Sequence, residues 1–280
     1  VTRGLQLKSM INFVTALNCE AQPLINLYRL KASSEKAPFR IYSNETMRLI
    51  ISGIGKVSAS AATSYLYAIS DPSQHHVWIN IGVAGHRYLP TGEGILAHKV
   101  TDAGTRKSCY PTYIFKPPCD TSCLETYDKP VDCYPPEATV DMEASGFYET
   151  ACRFSTTEFI HCFKVISDNE QSPLQNLDKH LAEALIKGKI DTINCLVDLL
   201  TNLSQQEEVF LQKPNNLDLF LSRWHFSVSE QFQLLNILKR LHVCSSKEVL
   251  LDDSLSSLAS GKDVLRQLKE RLEASPLHFL

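Results

Sequence analysis

Apolar residues along the chain recur at two spacings. Short apolar runs closed by turn residues predict strands, and longer stretches with an apolar residue every three or four positions predict helices. Strands are predicted at 11–17, 47–53, 76–85, 94–101, 110–115, 124–128, 137–141 and 159–167. The run from His76 to Gly85 is apolar at nearly every position, as in a strand covered on both faces, and it ends in a glycine loop. Helices are predicted from Gly55 through Leu66 and at 142–154, 174–187 and 190–203. Pro117, Pro118, Pro130, Pro135 and Pro136 break up the middle of the chain and predict loop. This alternation of strands and helices is the pattern of an α/β sheet.

The strand pattern stops near Gln206. A turn is predicted at 213–216, and Ser227 with Glu230 has capping-box spacing ahead of a helix bearing Val228, Phe232, Leu235, Leu238 and Leu241. A last helix at 262–274 carries Val264, Leu265, Leu268 and Leu272. Trp224, His225 and Phe226 are expected to form a small packing cluster. The chain thus reads as a sheet domain, 1–206, with an all-helical appendage, 207–280.

With 280 residues, 44% of them hydrophobic and 21% charged, the chain can bury a full core. A formal charge of −3 without runs of one sign offers no footprint for nucleic acid. No apolar run reaches the roughly 20 residues of a membrane span, and the first residues lack a signal-peptide cleavage pattern. Nine cysteines, an odd number, with Cys152, Cys162 and Cys195 in apolar stretches, read as reduced packing in a cytoplasmic protein. Cys109, Cys119, Cys123 and Cys133 are irregularly spaced with no histidine among them, so no metal or cofactor is called for. His75 and His76 read as surface residues ahead of a strand.

Three acids follow predicted strands: Glu20, Glu143 and Asp168. Open α/β sheets bind ligands beyond the carboxyl ends of their strands, which would bring the three together. Each alone is as simply explained as a helix cap or a solvated carboxylate. The wording around them adds more. Ala16-Leu17-Asn18-Cys19-Glu20, Ile51-Ser52-Gly53-Ile54-Gly55-Lys56-Val57, Asn80-Ile81-Gly82-Val83-Ala84-Gly85, Val140-Asp141-Met142-Glu143-Ala144 and Ile166-Ser167-Asp168 occur in that order. Together they resemble the motifs of the methylthioadenosine/adenosylhomocysteine nucleosidases, within the nucleoside phosphorylase/nucleosidase family, over residues 10 to 206.

The resemblance implies a three-layer, mixed-sheet, nucleoside phosphorylase-like α/β domain that hydrolyses the N-glycosidic bond of a purine nucleoside as a homodimer. It implies that Asp168 protonates the leaving base, helped by a pKa raised through burial, and that Glu20 activates water. Glu143 would accept the ribose hydroxyls, Met142 would pack on the sugar, and Ser52 would hold the water or the ribose. Gly85 and Ser167 lie in the matching runs, and Val131, in the run Thr126 to Val131, matches the segment along the base. The chain departs from the family in two places. The stretch between Gly85 and Met142 is shorter, as though a helix were missing, and Lys164 stands where arginine is usual. A buried lysine needs a partner, and Glu20 or another pocket carboxylate is the candidate. Two alternatives stay open. One is a phosphate-dependent phosphorylase, for which Arg87 is the candidate ligand although the region around Glu20 lacks arginine. The other is a non-catalytic nucleoside-binding protein that uses its helices for a partner.

Overall fold

The computed structural model describes residues 9–274 apart from 35, 72–74, 132, 173–177, 212–213, 215 and 246–250. Leu174, Lys213 and Asn215, which enter the predictions above, lie outside the described residues. The chain divides into two units, one ending at Gln205 and one beginning at Gln206.

In chain order the first unit contains β1 (Met10–Thr15), α1 (Asn18–Tyr28), β2 (Lys31–Ala32), β3 (Arg40–Ser43), β4 (Met47–Ile51) and α2 (Lys56–Ala68). There follow β5 (His76–Gly85), β6 (Gly94–Asp102), β7 (Ser108–Cys109), β8 (Asp120–Thr126), β9 (Ala138–Asp141) and α3 (Ala144–Ala151). It closes with β10 (Ile160–Asp168), α4 (Lys179–Gly188) and α5 (Ile190–Leu211), the last of which contains the division. Among the described residues the sheet has ten strands. β1 runs parallel to β4 and β5, and β5 is parallel to β10. From β10 the sheet continues through an antiparallel β6 to parallel β8 and β9. β9 then returns to β5 through the Gly85–Val140 pair. Five strands therefore close on themselves, and the ends of β5, β9 and β10 meet.

Alternate strand residues feed two cores, one on each face. Phe13, Phe163 and Val165 pack with Leu24 of α1 and Leu196 of α5, whereas Val14, Ile160 and Cys162 pack with Ala59 of α2 and Phe147 of α3. Helices thus cover both faces, giving three layers. Burying each of these large apolar side chains contributes about 1.5–3 kcal/mol.

Several expectations need correction. Residues 110–115 form no strand: Pro111 lacks an N–H for a ladder, and Tyr113 instead donates to the Ala97 carbonyl at 2.6 Å and stacks on His161. His76 is a buried first residue of β5, not a surface one; it bonds Asn12 at 3.3 Å, and burial lowers its pKa to about 4. Cys152 and Cys195 are exposed, while Cys162 is buried. Among the described residues no helix lies between β5 and α3.

The second unit contains α6 (Leu217–Arg223), α7 (Val228–Ser245), α8 (Asp253–Ser256) and α9 (Gly261–Ala274). The capping box is present: Ser227 N donates to Glu230 at 2.8 Å and Glu230 N to the Ser227 hydroxyl at 3.4 Å. Its apolar face is the expected one in part: Leu238 and Leu241 are buried and Leu235 is half-buried, but the first turns differ. Leu234, Ile237, Leu238 and Leu241 are buried at helical spacing, while Val228 and Phe232 are exposed. With Val264, Leu265 and Leu268 they form a core that includes Trp224 and Phe226, whereas His225 is exposed. Among the described residues no helix is long and apolar enough to cross a membrane.

Candidate active site

The carboxyl ends of β1, β5, β9 and β10 surround a cavity of about 210 Å³. Glu20, Gly85, Val131, Met142, Glu143, Ser167 and Asp168 all line it, together with Asp141, Tyr127 and Tyr134. Ser52 and Lys164 do not. The Ser52 hydroxyl donates to the carbonyls of Gly53 at 2.8 Å and Thr15 at 3.2 Å, which ties the end of β4 to that of β1.

Glu20 lies in the first turn of α1. Leu17 precedes that helix in extended conformation, and the Glu20 carboxylate folds back to accept Leu17 N at 2.8 Å and Ala16 N at 3.0 Å through Oε2. Its Oε1 accepts Val83 N from β5 at 3.0 Å. Glu20 thus caps its own helix and is also fixed against a second strand. Burial pushes its pKa up, against the opposing pull of Lys164 and the three N–H donors.

Glu143 stands just ahead of α3 but caps nothing there; its Oε1 accepts Gly55 N at 2.8 Å, from the loop that opens α2. Burial raises its pKa to about 7, with Lys164 pulling it down and Asp141 pushing it up. The cap of α3 belongs to Asp141, whose Oδ2 accepts Ala144 N at 2.9 Å and whose Oδ1 accepts the Thr126 hydroxyl at 2.7 Å.

Lys164 is buried behind this floor, and its partner is Asp141, at 2.8 Å, rather than Glu20. Burial works against its charge, but Asp141 and Glu143 outweigh burial and hold its pKa above the ordinary lysine value. Gly82 leaves room for the group: a Cβ there would lie 2.9 Å from Glu20 Oε1 and 3.4 Å from Lys164 Nζ.

Asp168 ends β10 beside Gly85. Its two oxygens accept the hydroxyls of Ser167 and Tyr134. Arg87, weighed above as a phosphate ligand, pairs with Glu170 at 2.6 Å and does not line the cavity. Sequence reasoning missed Asp141 and Tyr134 as site residues. A lone lysine in an apolar strand demands a buried acid, and that demand is the signal for Asp141. Tyr134, between Cys133 and two prolines, carries no comparable signal.

No protein-family model and no curated protein matches the chain. Solved structures do. The apo 5′-methylthioadenosine nucleosidase of Arabidopsis thaliana superposes with a TM-score of 0.57 at 16% identity, covering 69% of this chain and 96% of that one. The methylthioadenosine/S-adenosylhomocysteine nucleosidase of Colwellia psychrerythraea in complex with adenine gives 0.53 at 19% identity, covering 72% and 97%. The futalosine hydrolase of Helicobacter pylori gives 0.51 at 13%, covering 68% and 97%. Over about two thirds of its length, this chain therefore has the nucleoside phosphorylase-like fold of these hydrolases.

Proposed function

We propose that the sheet unit hydrolyses the N-glycosidic bond of a purine nucleoside. The observation that carries this reading is the convergence of three buried acids, Glu20, Glu143 and Asp168, on one cavity from three separate stretches of chain. Breaking the ribose–base bond builds positive charge on the sugar and negative charge on the base, so the reaction needs carboxylates at the sugar and a proton donor at the base. A carboxylate has about four lone-pair sites. Three on Glu20 are occupied by backbone N–H groups, and the remaining one is available to water. Glu20 takes a proton as the water oxygen bonds to the anomeric carbon. The bond electrons leave with the base, and Asp168 supplies the proton at N7. Glu143, held by Gly55, accepts the ribose hydroxyls, and Met142 packs on the sugar. Ser167 and Val131 complete the base side, Lys164 positions the acids from behind, and Ser52 holds the β4 end in place.

Hydrolysis is favoured over phosphorolysis by the lining: among the described residues around the cavity the one cation is Lys129, which is exposed. An oxyanion nucleophile would meet four acids in this lining, Glu20, Asp141, Glu143 and Asp168. The test is base release from methylthioadenosine, adenosine and inosine with and without phosphate. Free base and the free sugar, methylthioribose or ribose, without phosphate support a hydrolase; release only with phosphate makes it a phosphorylase; no release leaves the cavity as a binding site.

A further inference from the structure

Tyr134 has no part in the reaction just described, yet it lines the cavity and bonds Asp168. It is buried, and its ring lies so close to Gly85 that a Cβ there would collide with the ring edge. The same Cβ would lie 2.6 Å from Asp168 Oδ2, the atom that accepts the Tyr134 hydroxyl. Gly85 and Asp168 are register partners at the ends of β5 and β10. Tyr134 is therefore wedged where these strand ends meet, in the place a base must reach if Asp168 is to protonate it. The other Asp168 oxygen holds Ser167, whose hydroxyl also reaches the Ala84 carbonyl at 3.3 Å and whose backbone is fixed in β10. Tyr134 comes from the irregular chain between β8 and β9 and belongs to no strand of the sheet.

We propose that Tyr134 is the specificity-determining residue of the base subsite: its ring and hydroxyl hold the place of a purine against Gly85 and Asp168, and a purine enters by exchanging with them. The inference rests on the nucleosidase reading. It deepens that reading by stating what a base must offer. A base whose polar edge meets Asp168 Oδ2, with N7 accepting once the acid holds its proton, replaces the bond lost from Tyr134, while a base with an apolar edge there leaves a buried oxygen unpaired and is rejected.

The experiment is calorimetric titration of adenine into the full chain as wild type, Tyr134→Phe and Tyr134→Ala, with methylthioadenosine hydrolysis measured on the same samples and folding checked by circular dichroism. Tyr134→Ala is expected to bind adenine at least about tenfold more tightly, as removal of one competing bond to a charged group implies, with Tyr134→Phe in between and KM falling in parallel. Equal or weaker adenine binding by both variants, with base still released by the wild type, overturns the role of Tyr134 and leaves the nucleosidase reading standing. If the folded proteins neither bind adenine nor release base, both fall. Should Tyr134→Ala not fold, Tyr134→Phe decides, because it keeps the ring and loses only the hydroxyl.

Discussion

The Lys164 ammonium lies 2.8 Å from Asp141 Oδ2, with both side chains closed off from solvent. Asp141 also caps α3 and receives the Thr126 hydroxyl, so the pair joins β10, β9, β8 and the first turn of α3 at one point. Removing the cation alone leaves a buried carboxylate uncompensated. Lys164→Met is expected to lower stability by about 3–5 kcal/mol, as read by urea denaturation. An unchanged midpoint would mean that the pair carries no structural weight.

For the acids, Asp168→Asn and Glu20→Gln are each expected to lower kcat by about 100- to 10,000-fold in the base-release assay, with the fold retained. The two should differ in stability. An amide at Glu20 turns an NH₂ toward at least one of the backbone N–H groups of Ala16, Leu17 and Val83, which costs about 1–3 kcal/mol. Wild-type turnover in either variant would remove its residue from the mechanism.

Glu143 predicts a pH dependence. Its pKa is raised by burial from 4.5 to about 7 in the folded protein, so folding favours its protonated form. Its contribution to stability is full below pH 4.5 and is lost as the pH rises to about 7. Glu143→Gln keeps an acceptor for Gly55 N and removes the titration. The variant should therefore gain on the wild type between pH 5 and pH 8, by up to about 3 kcal/mol. Parallel stability curves across that range would contradict the assignment.

Gly85→Ala puts a methyl group into the Tyr134 ring and beside Asp168. Overpacking of this kind costs about 1–3 kcal/mol, and the added Tyr134→Ala change should return most of it. A double-mutant cycle on thermal stability measures the coupling; strict additivity would place the strain elsewhere.

Much of the sheet was legible because β5 and β10 are apolar enough to need cover on both faces, and because capping chemistry marks the start of α7. The bounds of β5 were read as they stand. The later half of the α7 face, Leu235, Leu238 and Leu241, is legible from its spacing, whereas Val228 and Phe232 in the first turns stay exposed because the packing against α9 takes Leu234 and Ile237 instead. Short antiparallel edges such as β2 and β7 leave no periodic trace in two residues. At the site, Glu20, Glu143 and Asp168 were identifiable as acids after strands, but what each one bonds was not. The Lys164–Asp141 pair depends on how β10 and β9 are ordered in the sheet, and Tyr134 depends on how one irregular stretch folds over a glycine.

The acidic floor has a consequence for what the protein admits. Glu20, Asp141, Glu143 and Asp168 face the cavity, while Lys164 is spent on Asp141 behind it. Among the described residues, four acids against a single lining lysine, Lys129, give the wall more acidic than basic groups, with Glu143 about half protonated near pH 7. On the nucleosidase reading, a phosphate on the sugar is therefore expected to weaken binding, because it would add negative charge beside these acids.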